Sequence, residues 1–185
     1  MPLDASRNPL VLPILGLLVE QPAHAYDVTS RLRARYGPTL NPTRSTVTSL
    51  LKGLERNGSV AAEEPEKVGN RPPRTVYAVT EAGLEDFRGK VVDGLRNAQV
   101  ASPDFVLAVA YASIVPVREA LSIVEDRISR LEGELEQLVW PDGIAEVHML
   151  EVTYWRTIVI AELDWLGTLA HRMRSDDLDW TGGRG

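Results

Sequence analysis

Two clusters of side chains in this sequence have types and spacing suited to chemistry. Arg44, Ser45, Thr46, Thr48, Ser49 and Lys52 alternate with the apolar residues Val47, Leu50, Leu51 and Leu54. A little further on, Lys67, Asn70, Arg71 and Arg74 fall in a stretch rich in proline and glycine. Cations of this kind neutralise phosphates, while hydroxyl and guanidinium groups on an exposed helix can reach base edges in a major groove. Solvated surface is the bland reading of the same residues. The charge distribution argues against it. Arg31 to Arg74 hold 9 Lys and Arg against 4 Asp and Glu, although the chain as a whole carries a net charge of -6. Residues 1–97 sum to +2 and residues 98–185 to -8, an asymmetry that points to a polyanionic partner for one half.

Other chemistries find less support. The three histidines, His24, His148 and His171, are scattered. His148 and Glu151 stand three apart, but the further carboxylates of a helical-bundle metal site and the four ligands of a structural zinc site are missing from the pattern. No nucleophile elbow and no phosphate-cradling glycine loop occurs, so the chain does not read as an enzyme, and no cofactor is expected. Cysteine is absent, which removes disulfides and thiolate metal sites. The apolar run Leu10–Val19 followed by Ala23-His24-Ala25 imitates a signal peptide, but Asp4 opposes Arg7 before it and Glu20 interrupts it. No apolar run reaches the roughly 20 residues that span a membrane. The expectation is a cytoplasmic protein without membrane contact.

The elements needed to position the basic residues are legible in outline. Asn8-Pro9 starts a helix through about Gln21, with regular structure from about Leu12 because of Pro13, and Pro22 ends it. A second helix runs from about His24 to Tyr36, with Tyr26, Val28 and Leu32 inward and Arg31, Arg33 and Arg35 largely outward. Asn41-Pro42 or Thr43 caps a third helix to Asn57, which Gly58 stops. Val60–Glu64 and Thr75–Val79 form a hairpin around Pro65–Arg74, and Thr80 caps the helix after it. Three helices and a two-stranded hairpin describe a winged helix-turn-helix, with the third helix in the reading position.

The second half is helical throughout. Ser102-Pro103-Asp104 opens an apolar helix, Phe105–Ile114, and Pro116 opens another. Val117, Leu121, Val124, Ile128, Leu131, Leu135 and Leu138 then form a strict heptad seam. After the turn Pro141-Asp142-Gly143, a last helix from Ile144 to about Arg174 is apolar on two stripes. One carries Val147, Leu150, Tyr154, Ile158 and Ala161, and the other Val152, Trp155, Val159, Leu163 and Leu166. One small chain can hardly cover both stripes, so a second copy is the economical cover. The expected architecture is mainly α: a winged helix-turn-helix domain at 1–97 and an antiparallel helical dimerisation domain at 98–185. Leu121, Val124, Ile128, Leu131, Leu135, Leu138, Ile158 and Leu166 are the candidate dimer contacts. Tyr154, Trp155 and Trp165 could line a pocket for a small aromatic or apolar effector, or serve simply as dimer core.

The motifs themselves carry a resemblance. Ile14-Leu15-Gly16-Leu17-Leu18, His24-Ala25-Tyr26-Asp27, Leu50-Leu51-Lys52-Gly53-Leu54-Glu55 with Gly58, and Arg71-Pro72-Pro73-Arg74-Thr75-Val76-Tyr77-Ala78-Val79-Thr80-Glu81-Ala82-Gly83 occur in order. Across residues 10–88 the chain resembles the PadR family of transcriptional regulators, and Pro103-Asp104-Phe105 is similar to members with a long helical C-terminal domain. The resemblance implies a homodimer on double-stranded operator DNA, usually acting as a repressor relieved by a small ligand or stress signal. Two positions depart from the family pattern: Thr48 stands where a tyrosine is common, and Ala25 where Gly or Pro is common. A winged helix used only for protein interaction, without DNA binding, is the reading from another class.

Overall fold

Three helices start at a hydroxyl cap, at Thr43, Thr80 and Ser102. In the computed structural model, residues 8–37, 40–66, 74–139, 141 and 143–180 are described. Helices α1 (Val11–Glu20), α2 (Ala25–Tyr36) and α3 (Arg44–Arg56) come first, with the short strand β1 (Ala23–His24) between α1 and α2. Strands β2 (Val60–Glu66) and β3 (Arg74–Val79) follow, then α4 (Glu81–Asn97), α5 (Pro103–Ala110), α6 (Val117–Gln137) and α7 (Leu150–Arg174). Pro13 lies in the first turn of α1, where a missing N–H has no intrahelical partner to lose. The chain divides into two compact units, Met1–Lys90 and Val91–Gly185, and the division falls inside α4.

The first unit packs α1, α2 and α3 around Ile14, Leu15, Leu32, Val47, Leu51 and Leu54, all essentially inaccessible. Its sheet has three antiparallel strands in the order β1-β3-β2, one more than the expected hairpin. Ala23 pairs with Tyr77 and His24 with Val76, and the His24 ring nitrogen Nδ1 lies 3.0 Å from the Thr75 carbonyl oxygen. The register between β2 and β3 is irregular between Glu63 and Glu66, and Pro65 sits in that irregularity, where a missing donor costs no ladder bond.

The joint between α3 and β2 is built from glycine geometry. Gly58 has φ +82°, and the Ser59 N–H donates to Leu54 O at 2.9 Å while the Gly58 N–H donates to Glu55 O at 3.1 Å. That pair of bonds is a Schellman stop. The Thr80 hydroxyl donates to Gly58 O at 2.6 Å and accepts from the Gly83 N–H at 3.0 Å, so one side chain caps α4 and ties it to the end of α3. Gly83 is required there: a Cβ on it would fall 1.8 Å from the Ser59 carbonyl oxygen.

In the second unit Ser102 caps α5, its hydroxyl accepting from the Phe105 N–H at 3.3 Å. The expected Phe105–Ile114 helix breaks after Ala110 into a separate 3-10 turn, Ala112–Ile114. Helices α6 and α7 run antiparallel, as the contacts of Arg156 with the Leu135 and Leu138 carbonyls and of Arg127 with Glu162 require. The last helix begins at Leu150 rather than Ile144, because a 3-10 turn at Glu146–His148 intervenes. No described helix is long and apolar enough to cross a membrane.

The buried face of α6 is Ala120, Ile123, Val124, Arg127 and Leu131, turned from the heptad seam so that Val124 and Leu131 are common to both. Arg127 is 2% exposed. Its guanidinium donates to Glu162 from Nε at 2.8 Å and Nη2 at 2.6 Å, and from Nη1 to Ala98 O at 2.8 Å and Leu95 O at 3.3 Å. Its carbon centre lies 4.0 Å from the Phe105 ring centroid, and Glu162 also accepts from the Ala101 N–H at 3.0 Å. Four of the five N–H groups of this buried cation are thus answered, together with its charge, which is the condition for keeping a charge inside a fold.

Candidate nucleic-acid interface

Helix α3 forms where the sequence places it because Thr43 offers its hydroxyl to the Thr46 N–H at 3.2 Å, and because one face is wholly apolar. Val47, Leu51 and Leu54 are inaccessible and Leu50 is nearly so. At about 100° per residue, burying that face turns Arg44, Thr48, Lys52, Ser45 and Ser49 onto one outward arc. Those five residues line a single shallow depression of about 510 Å³. Thr46 is the exception. It lies half-buried at the edge of the arc, between Ser49 and Leu50 in helical phase, its hydroxyl 2.8 Å from that of Thr43.

The hydroxyls of the arc are partly occupied by the helix itself. Thr48 donates to the Arg44 carbonyl at 2.9 Å, and Ser45 lies 2.9 Å from the Thr43 hydroxyl. The cations differ among themselves. Arg31 and Arg35 are bound by Glu20, Arg33 donates to Pro42 O at 3.0 Å, and Arg56 to Lys52 O at 3.2 Å. Arg33 and Arg35 are exposed and Arg31 half-buried, in keeping with a largely outward placing, and the three side chains also tie α2 to α1 and to the segment before α3. Arg44 instead rests against the ring of Tyr26, 5.8 Å from its centroid.

Tyr26 corrects an expectation. It is 57% exposed rather than inward. The sequence did contain the signal: two residues before Val28 and six before Leu32, Tyr26 is rotated some 200–240° from both, on the opposite side of α2. Tyr77 of β3 is buried, and burial together with the nearby charge of Glu55 holds its phenol above the usual value of 10.0.

Of the wing residues, Lys67, Asn70 and Arg71 lie outside the described residues; Arg74 opens β3, with only its backbone described. Of the candidate dimer contacts, Val124, Leu131 and Leu166 are buried within one chain, whereas Leu121, Ile128, Leu135, Leu138 and Ile158 are half-covered. The two stripes of α7 behave differently. Val159 and Leu166 are buried; Leu150, Tyr154 and Ala161 on the other stripe are exposed. Tyr154, Trp155 and Trp165 are 66%, 41% and 43% exposed, and one chain does not gather them into a pocket. Tyr154 and Trp165 are about 16 Å apart along the helix, and Trp155 is turned about 100° from Tyr154. Trp165 meets Phe105 edge-on at 6.2 Å. A hollow of about 680 Å³ in this unit lies elsewhere, among Val115, Val117, Met173, Leu178 and Trp180. Among the described residues no group of three or more His, Asp and Glu forms a cation site.

Comparison with known proteins bears on the first unit. Residues 14–88 match the transcriptional regulator PadR-like family. Among solved structures, PadR of Bacillus subtilis in complex with operator DNA is 19% identical, with 90% of this chain and 99% of that one aligned at a TM-score of 0.46. The same protein in complex with p-coumaric acid gives 19% identity and a TM-score of 0.39, with the same coverage of both chains. The PadR-like regulator BC1756 of Bacillus cereus gives 18% identity over 90% of this chain and 98% of that one, at a TM-score of 0.38. No curated protein matches the sequence. Residues 14–88, which hold α2, α3 and the wing strands, are thus similar to the PadR-like family of transcriptional regulators.

Proposed function

We propose that this chain is a sequence-specific repressor that binds a roughly palindromic operator as a homodimer and is released by a small aromatic or apolar effector. The observation that carries the reading is the outward arc of α3, where two cations and three hydroxyl side chains line one depression beside a hairpin whose sequence is basic at the tip. A helix of this composition fits a major groove, and a basic wing fits the flanking phosphates. Residues 1–97 would form the DNA-binding part and 98–185 the dimerisation part. Support for self-association comes from the exposed stripe Leu150, Tyr154 and Ala161 together with the half-covered α6 seam. Two-fold pairing would set two copies of α3 about one helical turn of DNA apart.

Binding of the full chain to the DNA upstream of its own coding sequence, measured across a salt series, tests the reading. The affinity should fall steeply with salt, and Arg71→Ala with Arg74→Ala should flatten the slope by nearly one for each phosphate that is no longer neutralised. A chain that ignores duplex DNA at low salt would leave only a protein-interaction role. For the dimer, Tyr154→Lys alters a side chain exposed in the single chain, so it should leave the fold intact and halve the sedimenting mass. An unchanged mass would move the dimer face off this stripe.

A further inference from the structure

We infer that Arg44, held against Tyr26, is the residue that selects a guanine in each half-site. The inference rests on the DNA-binding reading and goes beyond it by assigning base choice to one side chain. Three observations on the first unit converge. The guanidinium of Arg44 makes no hydrogen bond and no ion pair among the described residues, whereas those of Arg31, Arg33, Arg35 and Arg56 each donate to an acceptor. Its contact is instead with a ring face at 5.8 Å. A cation–π contact of that kind restrains the guanidinium without consuming its N–H donors. Finally, Arg44 is the first residue of α3 and stands at the positive end of the helix dipole, with no acidic residue in the first turn. A cation there is locally unfavourable, and such departures from local preference gather at functional positions.

Reading helices contact base edges with their N-terminal residues, and a fork of donors without acceptors matches the O6 and N7 acceptors of guanine, the commonest specific contact of arginine. The remaining members of the arc are less suited to choosing a base by two parallel bonds. The Thr48 hydroxyl hydrogen is directed at the Arg44 carbonyl, Ser45 shares a bond with Thr43, and Lys52 is a point charge without a fork. Tyr26 is a positioning residue: it restricts where the guanidinium points.

Selection of bound duplexes from a pool randomised over the operator, followed by affinity measurements on single-base variants, tests this with the full-length dimer. For the wild-type chain one guanine per half-site should be enriched, and its replacement by adenine should weaken binding roughly 5- to 150-fold. Arg44→Ala should bring discrimination at that position to within about twofold of none, while other positions keep theirs. Arg44→Lys should preserve the salt dependence and still lose most of the guanine preference. Replacing the guanine by 7-deazaguanine, which lacks the N7 acceptor, should weaken the wild-type complex and leave that of Arg44→Ala unmoved. Tyr26→Leu should reduce the preference and Tyr26→Phe restore it. If Arg44→Ala weakens every duplex equally and keeps the wild-type base preferences, Arg44 is a phosphate contact; the inference falls and DNA binding stands. If the wild-type chain binds no duplex, both fall.

Discussion

Two arginines in this molecule each lie against an aromatic ring, and their surroundings assign them opposite work. Arg127 is 2% exposed, packs 4.0 Å from Phe105, and has acceptors from Glu162, Leu95 and Ala98. Arg44 is exposed, lies 5.8 Å from Tyr26, and has none among the described residues. The first belongs to the unit that holds helices together, the second to the unit of the PadR-like match. The ring contact is therefore no guide to role. What separates a structural arginine from a binding one is whether the protein itself answers its donors.

The largest test of that contrast is at Arg127. Arg127→Ala leaves Glu162 as a buried carboxylate without its cation and strips the donor from the Leu95 and Ala98 carbonyls at the end of α4, so the second unit should lose about 3–5 kcal/mol of stability in urea titration. Changing both partners, Arg127→Met with Glu162→Leu, should recover most of that loss, because no unpaired charge remains. If the single variant unfolds at the wild-type midpoint, burial and bonding are not what give Arg127 its role, and the contrast with Arg44 collapses.

The same contrast explains what the sequence disclosed. Helix α3 was legible because its determinants are local: Thr43 at the start, Val47, Leu50, Leu51 and Leu54 on one side, Gly58 at the end. Four of the six residues assigned to its outer face are exposed, and Thr48 also lines the depression; Thr46, half-buried like Thr48, lies outside it, next to the apolar face in helical phase. Arg127 was invisible for the opposite reason. It sits beside the seam residue Ile128, where a charge reads as solvated surface, and its partner is 35 positions away. Strand β1 is two residues long, too short for any alternation to show. The late start of α7 at Leu150 is not legible because Ile144 and Val147 continue the apolar spacing although the backbone there is not α-helical.

Arg44 supplies the smallest expected effect and the sharpest one. Arg44→Ala removes a side chain that makes no hydrogen bond or ion pair among the described residues, so the loss on stability is limited to the packing on the Tyr26 ring, of order 0.5–1 kcal/mol at an exposed site. Against it stands relief at the positive end of the α3 dipole, of order 0.3–1 kcal/mol, and alanine is the best helix former. The two nearly cancel. The urea midpoint of the first unit should therefore stay within about 0.5 kcal/mol of wild type, the range of ordinary surface changes, while base discrimination collapses. Stability and specificity would then be separable at one residue. A variant that instead unfolds the first unit would mean that the Tyr26 contact braces α2 against α3, and Arg44 would join Arg127 among the arginines that serve the fold.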